Sequence, residues 1–157
     1  MTTRFSNKEK LYLYRFSTLF LVRCPRCDRQ ARVVLRDEYT QGPQTSPHWY
    51  ADLLFGARRL VCTHCGYLAE WHHRKLKVDG PYDWYFQQPL WLQTPCCGEV
   101  LWALNEEHLD FMADFVGAGI RESHGNETLA SRLPEWMKSR HNREEVLRCI
   151  GKLREMT

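Results

Sequence analysis

Two short cysteine motifs contain the residues of this chain best suited to chemistry. Cys24 and Cys27 are separated by two residues, and so are Cys62 and Cys65. Two residues between cysteines let one tight turn direct both sulfurs to the same point, and two such turns complete a tetrahedron of thiolates. The sequence therefore predicts one structural Zn2+ ion held by these four side chains.

The residues around the two motifs predict how the chain presents them. Pro25 sets the backbone of the first turn, and Gly66, directly after the last cysteine, can take the positive φ that turns the chain away. Strand-like segments enter and leave the motifs at 19–22 and 31–36, and at 58–61 and 67–71. Each motif thus predicts a strand, a metal turn and a strand. A hairpin of this kind is marginal in water, so we expect the metal to hold it closed.

With these motifs and this spacing, the region from about residue 19 to residue 71 resembles a zinc ribbon of the rubredoxin-like type. Ribbons of this type occur in transcription and replication proteins, where they bind DNA, RNA or other proteins. The resemblance therefore implies the metal and the hairpins and leaves the ligand open. The rest of the chain is similar to parts of small bacterial zinc-ribbon proteins, which implies no mechanism.

A third hairpin is predicted at 89–104. Aligning Gly98 with Gly66 places Cys97 under Cys65, while Thr94 stands where Cys62 would be. This segment is either a degraded copy of the cysteine turns that has lost its metal pair, or a chance resemblance over a few residues.

Helices are predicted after residue 104. Asn105 is a candidate N-cap, and apolar residues follow it at helical spacing at Leu109, Met112, Phe115 or Val116, and Ile120. A short helix is expected after Pro134. In the last helix, Asn142 and Glu145 resemble a capping box, and the apolar stripe contains Val146, Leu147, Ile150 and Leu153. The stripe should pack on the helix after Asn105.

The predicted fold class is α+β. Antiparallel zinc-ribbon hairpins form a β-rich region at 1–104, and a helical region at 105–157 packs on it. No stretch has the roughly 20 apolar residues that cross a bilayer, and the polar start is no secretory signal. Seven cysteines, an odd number, favour a reducing cytoplasm over a disulfide framework. We interpret Cys96, Cys97 and Cys149 as thiols.

The distribution of charge favours a nucleic-acid-binding module. Residues 81–120 contain no Lys or Arg, whereas basic residues surround both cysteine motifs. Because the two turns meet at one metal, these cations should lie together and could bind phosphate, with tryptophans beside them for stacking on bases. The candidate nucleic-acid residues are Arg23, Arg26, Arg29, Arg32, Arg58, Arg59, Arg74, Lys75, Trp49 and Trp71. The alternative for these arginines is a solvated surface, or pairing with the acidic segment 83–114.

Two other classes of function remain open. Six tryptophans, segregated charge and an amphipathic last helix also suit a protein-interaction subunit, adaptor or inhibitor of a larger complex. Catalysis is disfavoured because four cysteines close a zinc site, and the chain has no HExxH motif or phosphate loop. For an enzyme, the vicinal cysteines Cys96 and Cys97 could act as a redox pair. Alternatively, either cysteine could form a second, open metal site with a histidine, for which the candidates are His48, His72, His73 and His108.

Overall fold

The computed structural model describes residues 4–5, 16–36, 54–72, 75–118, 120–121 and 133–157, and they form an α+β fold, as predicted. The strands are β1 (Arg4–Phe5), β2 (Leu19–Arg23), β3 (Gln30–Leu35), β4 (Arg58–Val61), β5 (Leu68–Trp71), β6 (Leu92–Cys96), β7 (Glu99–Ala103) and β8 (Ile120–Arg121). The helices are α1 (Glu106–Gly117), α2 (Glu135–Lys138) and α3 (Arg143–Glu155), with a 3-10 turn at Arg140–Asn142. β1 and β8 pair in parallel, with Arg4 opposite Ile120.

Strands β2 to β5 form one antiparallel sheet in chain order, which confirms the two predicted hairpins and joins them side by side. Successive residues of a strand point to opposite sides of the sheet, and one of these sides is buried. In β3, Ala31 and Val33 are buried while Arg32 between them is exposed. Arg32 lies opposite Val61 of β4, so the exposed faces of both hairpins are continuous.

Strands β6 and β7 form the third hairpin expected at 89–104, with Leu92 opposite Ala103. Cys97 and Gly98 make its turn with φ of 53° and 78°, and two successive positive φ values are those of a type I′ turn. The cysteine hairpins are closed instead by the longer loops 24–29 and 62–67. The third turn therefore has a different geometry from the two cysteine turns.

Helix α1 begins as its sequence predicts. The side chain of Asn105 accepts a hydrogen bond of 2.9 Å from the backbone N–H of His108, and its amide donates to the carbonyls of Phe16 and Leu19 at 2.7 Å. Leu109, Met112, Phe115 and Val116 are all buried. Ile120 lies beyond the helix, in β8, because α1 ends at Gly117.

Helix α3 packs on α1 and on β6, as predicted, but its start differs from the prediction. The capping box of Asn142 and Glu145 is wrong. Asn142 ends the 3-10 turn, already has helical backbone angles, and donates its side-chain amide to the carbonyl of Trp136 at 2.9 Å. Glu145 pairs with Arg148 at 2.5 Å instead.

The buried face of α3 also differs by one residue. Cys149 is buried beside Val146, Ile150 and Leu153, whereas Leu147 is 36% exposed. None of the helices in the described ranges is long and apolar enough to cross a bilayer.

Candidate metal centre

The four cysteines of the two motifs form one cluster between the hairpins. All four Sγ atoms lie within 4.8 Å of one another. The shortest approaches join different hairpins, with Cys24 and Cys65 at 3.6 Å and Cys27 and Cys62 at 3.5 Å. A tetrahedral ion with metal–sulfur bonds of about 2.3 Å requires sulfurs about 3.8 Å apart. The cluster therefore fits a single tetrahedral metal ion.

Matching backbone hydrogen bonds fold the two loops into the same shape. The N–H of Cys24 donates to the carbonyl of Arg29 at 2.8 Å, and the N–H of Asp28 donates back to the carbonyl of Cys24 at 2.9 Å. In the second loop, the N–H of Cys62 donates to the carbonyl of Tyr67 at 3.0 Å, and the N–H of Gly66 donates to the carbonyl of Cys62 at 3.0 Å. The chain therefore presents each cysteine pair from a rigid turn.

The residue that follows the second cysteine of each motif has a positive φ angle. Gly66 has φ of 77°, as its position predicted, and Asp28 takes the same place in the first loop with φ of 62°. Aspartate tolerates this region better than most residues with a side chain. The first turn thus forms with an aspartate where the second uses glycine.

The cluster stabilises negative charge unequally on its sulfurs. The N–H of Arg29 favours the thiolate of Cys27, but burial and the three neighbouring cysteines raise the pKa of Cys27 to about 12. Burial also opposes ionisation of Cys62, yet the N–H groups of Cys65 and His64 and neighbouring thiols lower the pKa of Cys62 to about 7. The sulfurs therefore share protons among themselves, and a bound cation would replace those protons.

Three of the predicted cationic residues lie exposed around the first cysteine turn. Arg26 and Arg29 lie in the loop and Arg32 on β3, and none of them pairs with an acidic group in the part of the chain that the structure describes. Arg23 is half-buried, lies over the ring of Trp91 at 5.3 Å, and contacts Asp28 at 3.5 Å.

The basic side chains near the second cysteine turn are less available to bind an external anion. Arg59 lies on the exposed sheet face but pairs with Glu70 at 2.9 Å, and this contact lowers the pKa of Glu70. Lys75 is exposed. Arg74 and Trp49 lie outside the described residues.

The structure corrects the assignment of Arg58 and Trp71 to a nucleic-acid surface. Both are buried, because their positions on β4 and β5 face the inside of the sheet. Arg58 donates to the carbonyl of Ser17 and lies over the ring of Tyr85 at 4.4 Å, and Trp71 meets the same ring edge-on at 4.8 Å. These two side chains build the core.

Sequence reasoning missed the buried carboxylate of Asp83. It accepts backbone N–H bonds from Tyr85 at 2.9 Å, and from Phe86 and Gln88 at 2.7 Å. Burial raises the pKa of Asp83, and these N–H groups oppose the rise. The aspartate at the head of an aromatic run was the available signal, since aspartate caps turns of this kind.

A second metal site is not found among the described residues. Apart from the four-cysteine cluster, no group of three or more His, Cys, Asp or Glu residues there is close enough to hold a metal. The sulfur of Cys96 lies 3.9 Å from that of Cys97, and Cys149 points its sulfur at the carbonyl of Pro95 at 3.8 Å.

Comparisons with protein families, with curated proteins and with solved structures find no match for this chain. The metal-binding capacity of the four cysteines rests on their geometry, which is consistent with a zinc-ribbon-like fold.

Proposed function

We propose that this protein is a nucleic-acid-binding module built around one structural zinc ion. The observation that carries the proposal is the group formed by Arg26, Arg29 and Arg32, three exposed guanidinium groups without an acidic partner in the described ranges. They surround a rigid turn, and unpaired arginines on such a turn are suited to bind the phosphates of a nucleic acid.

Zinc is the ion that best suits the four-cysteine cluster. Four thiolates are soft ligands, and Zn2+ accepts their tetrahedral arrangement without a preference of its own for another geometry. Four protein ligands leave no coordination position for water or substrate, so the metal serves the fold and takes no part in a reaction.

The exposed face of the sheet extends the proposed surface from the cysteine turn. Arg23 lies opposite Gln30, and Leu21 opposite Arg32, so Arg23 and Arg32 share this face. Trp91 lies half-buried beneath Arg23, and Tyr67 is half-buried beside the second cysteine turn. An unpaired base could stack on the ring of Tyr67, which favours single-stranded nucleic acid as the ligand.

Charge reversal tests the proposal. In the double variant Arg26→Glu and Arg29→Glu, binding to a single-stranded oligonucleotide should weaken at least about tenfold at low salt. The salt slope should fall by about 0.7 for each phosphate that the variant no longer neutralises. Binding would be measured by fluorescence anisotropy across a salt series, and zinc content should stay at one ion per chain.

A matched control places the same charge change in the helical region, outside the two cysteine turns. Arg140 and Lys152 are exposed residues of the helical region, so Arg140→Glu with Lys152→Glu alters net charge equally. This variant should bind the oligonucleotide nearly as tightly as the parent protein does. Equal weakening of both variants, or no binding by the parent protein at low salt, would overturn the proposal.

A protein-interaction subunit is the second candidate, and one observation favours it. Leu68 is 56% exposed on the outer sheet face, directly opposite Val61. Exposed apolar side chains beside arginines are common at protein interfaces. A protein with one zinc ion and no oligonucleotide binding at low salt would favour this candidate.

A further inference from the structure

A cavity with three tryptophans in its wall lies between the third hairpin, α1 and α2. Its volume is about 220 Å³. The side chains that give the wall its character are Trp84, Trp102, Trp136, Met112, Met137 and Asp79. A cavity of about 150 Å³ already holds benzene, so this one has room for a compound of similar or slightly larger size.

The core of the protein holds two of the three tryptophans in place. Trp84 is buried and meets the ring of Phe20 edge-on at 5.1 Å. Trp102 is half-buried and meets the ring of His108 edge-on at 6.0 Å. Trp136 is half-buried on α2 and completes the wall. Most of the wall therefore exists before a ligand enters, and binding does not have to order it.

The charge of the wall favours a cation. Asp79 is the only charged residue that lines the cavity within the described part of the chain, since burial lowers the pKa of His108 to about 3 and leaves its ring neutral at pH 7. Lys77 and Lys138 adjoin lining residues in the sequence. They contact the acidic groups of Asp79 at 3.4 Å and of Glu135 at 3.6 Å. Both partners of the Lys77–Asp79 pair are largely exposed, so water weakens their attraction.

The wall suits a cation that needs no hydrogen bond. The face of an indole ring attracts a cation more strongly than the other aromatic side chains do. A primary ammonium group would lose hydrogen bonds to water that an apolar wall does not replace. A quaternary ammonium group has no N–H to donate, and its methyl groups can pack against Met112 and Met137.

We propose that this cavity binds a quaternary ammonium compound, with its trimethylammonium group among Trp84, Trp102 and Trp136. This group is close to benzene in volume, so the cavity accommodates it. The carboxylate of Asp79 adds an attraction for the positive charge and disfavours an anion. This inference does not rest on the proposed binding of nucleic acid.

Two probes of equal shape test the proposal. Choline carries the quaternary nitrogen, and 3,3-dimethylbutan-1-ol has a neutral carbon in its place. Choline should bind at least about tenfold more tightly than the alcohol, as expected of a cation on indole rings, in titrations with sodium chloride as the ionic-strength control. It should shift the indole N–H resonances of the three lining tryptophans and leave that of Trp91 unchanged, since the N–H of Trp91 bonds to the carbonyl of Met156 outside the lining. Equal affinity for the two probes, or no binding of choline, would overturn the proposal.

Variants at Trp136 separate the attraction of the ring from packing. Trp136→Leu keeps an apolar side chain without a ring, and it should weaken choline binding at least about threefold while changing binding of the alcohol little. Trp136→Phe should restore part of the loss. Asp79→Asn should weaken choline binding by a smaller factor, because its exposed carboxylate is screened. An equal loss for both probes in Trp136→Leu would contradict a role of the ring in binding the cation. If Trp136→Leu does not fold, the two probes with the parent protein decide.

The trimethylammonium group occurs in free solutes and in trimethylated lysine side chains. A short peptide with trimethyllysine, compared with the same peptide with unmodified lysine, distinguishes these sources. Tighter binding of the trimethylated peptide than of choline would assign the cavity to a protein side chain, and tighter binding of choline would assign it to a free solute.

Discussion

At the scale of single residues, buried polar side chains make specific contacts in the interior of this protein. Asp83 accepts three backbone N–H bonds, and Arg58 lies over the ring of Tyr85. Burial raises the pKa of Tyr85 to about 12, and its hydroxyl donates to the carbonyl of Leu54 at 2.7 Å. These contacts link the sheet to the loop that precedes the third hairpin.

Replacing Asp83 with Asn should destabilise the protein by about 1–3 kcal/mol. The remaining oxygen can still accept from Tyr85 and Phe86, but the new amide would face the N–H of Gln88, which donates to the second carboxylate oxygen. Urea unfolding followed by tryptophan fluorescence would measure the change. Asp79→Asn is the control, because Asp79 is exposed and should change stability little. Equal stability of the two variants would contradict this role for Asp83.

His108 should make stability fall on acidification. Its pKa is about 3 in the folded chain against an ordinary value of 6.5, so between these values the unfolded chain binds the proton and the folded chain does not. The contribution of the neutral His108 ring to the free energy of unfolding is present above pH 6.5. It declines as pH falls, at up to about 1.4 kcal/mol per pH unit. The free energy of unfolding should therefore differ less between pH 7.0 and pH 5.5 in His108→Phe than in the parent protein. Parallel declines in both proteins would refute this role for His108.

At the scale of elements, each cysteine hairpin depends on the other through the shared cluster. The free energy of structural zinc binding is about 10–16 kcal/mol in small peptides, as large as the stability of a whole domain. Neither hairpin has this source of stability by itself, because each supplies only two sulfurs.

Cys62→Ser should abolish metal binding and open the paired strands of both cysteine hairpins. The metal content should fall from one ion per chain to none, and amide hydrogen exchange in β2 to β5 should become faster. Cys149→Ser should retain the metal, because Cys149 is buried on α3 against Pro95, away from the cluster. Metal retained by Cys62→Ser would show that three sulfurs suffice.

The elements also show which features a sequence can reveal. The four-cysteine cluster and the cap of Asn105 were predictable, because the two-residue spacing inside each cysteine pair and the cap sequence are local patterns that imply a specific geometry. The burial of Arg58 was not predictable, because no local pattern connects it with its partners Ser17 and Tyr85, which come from distant parts of the chain. The capping box at Asn142 failed because a 3-10 turn precedes α3, a feature that a four-residue pattern does not detect.

At the scale of the whole molecule, a continuous apolar core joins the predicted regions 1–104 and 105–157. Phe20 and Leu60 of the sheet, Leu101 of the third hairpin and Leu153 of α3 belong to the same buried cluster. A hydrogen bond also joins the two regions, since the indole N–H of Trp91 donates to the carbonyl of Met156 at 2.9 Å. The cysteine turns are thus attached to a core that the helices complete.

The parallel pair of β1 and β8 bears on the order in which the molecule folds. The named strands of the four-stranded sheet and of the third hairpin pair with neighbours along the chain, whereas Arg4 meets Ile120 across almost the whole β-rich region. Closing a longer loop costs more conformational entropy, and contacts distant in sequence form slowly. We therefore expect β1 to pair with β8 later than the hairpins form, because the strands of each hairpin are neighbours along the chain.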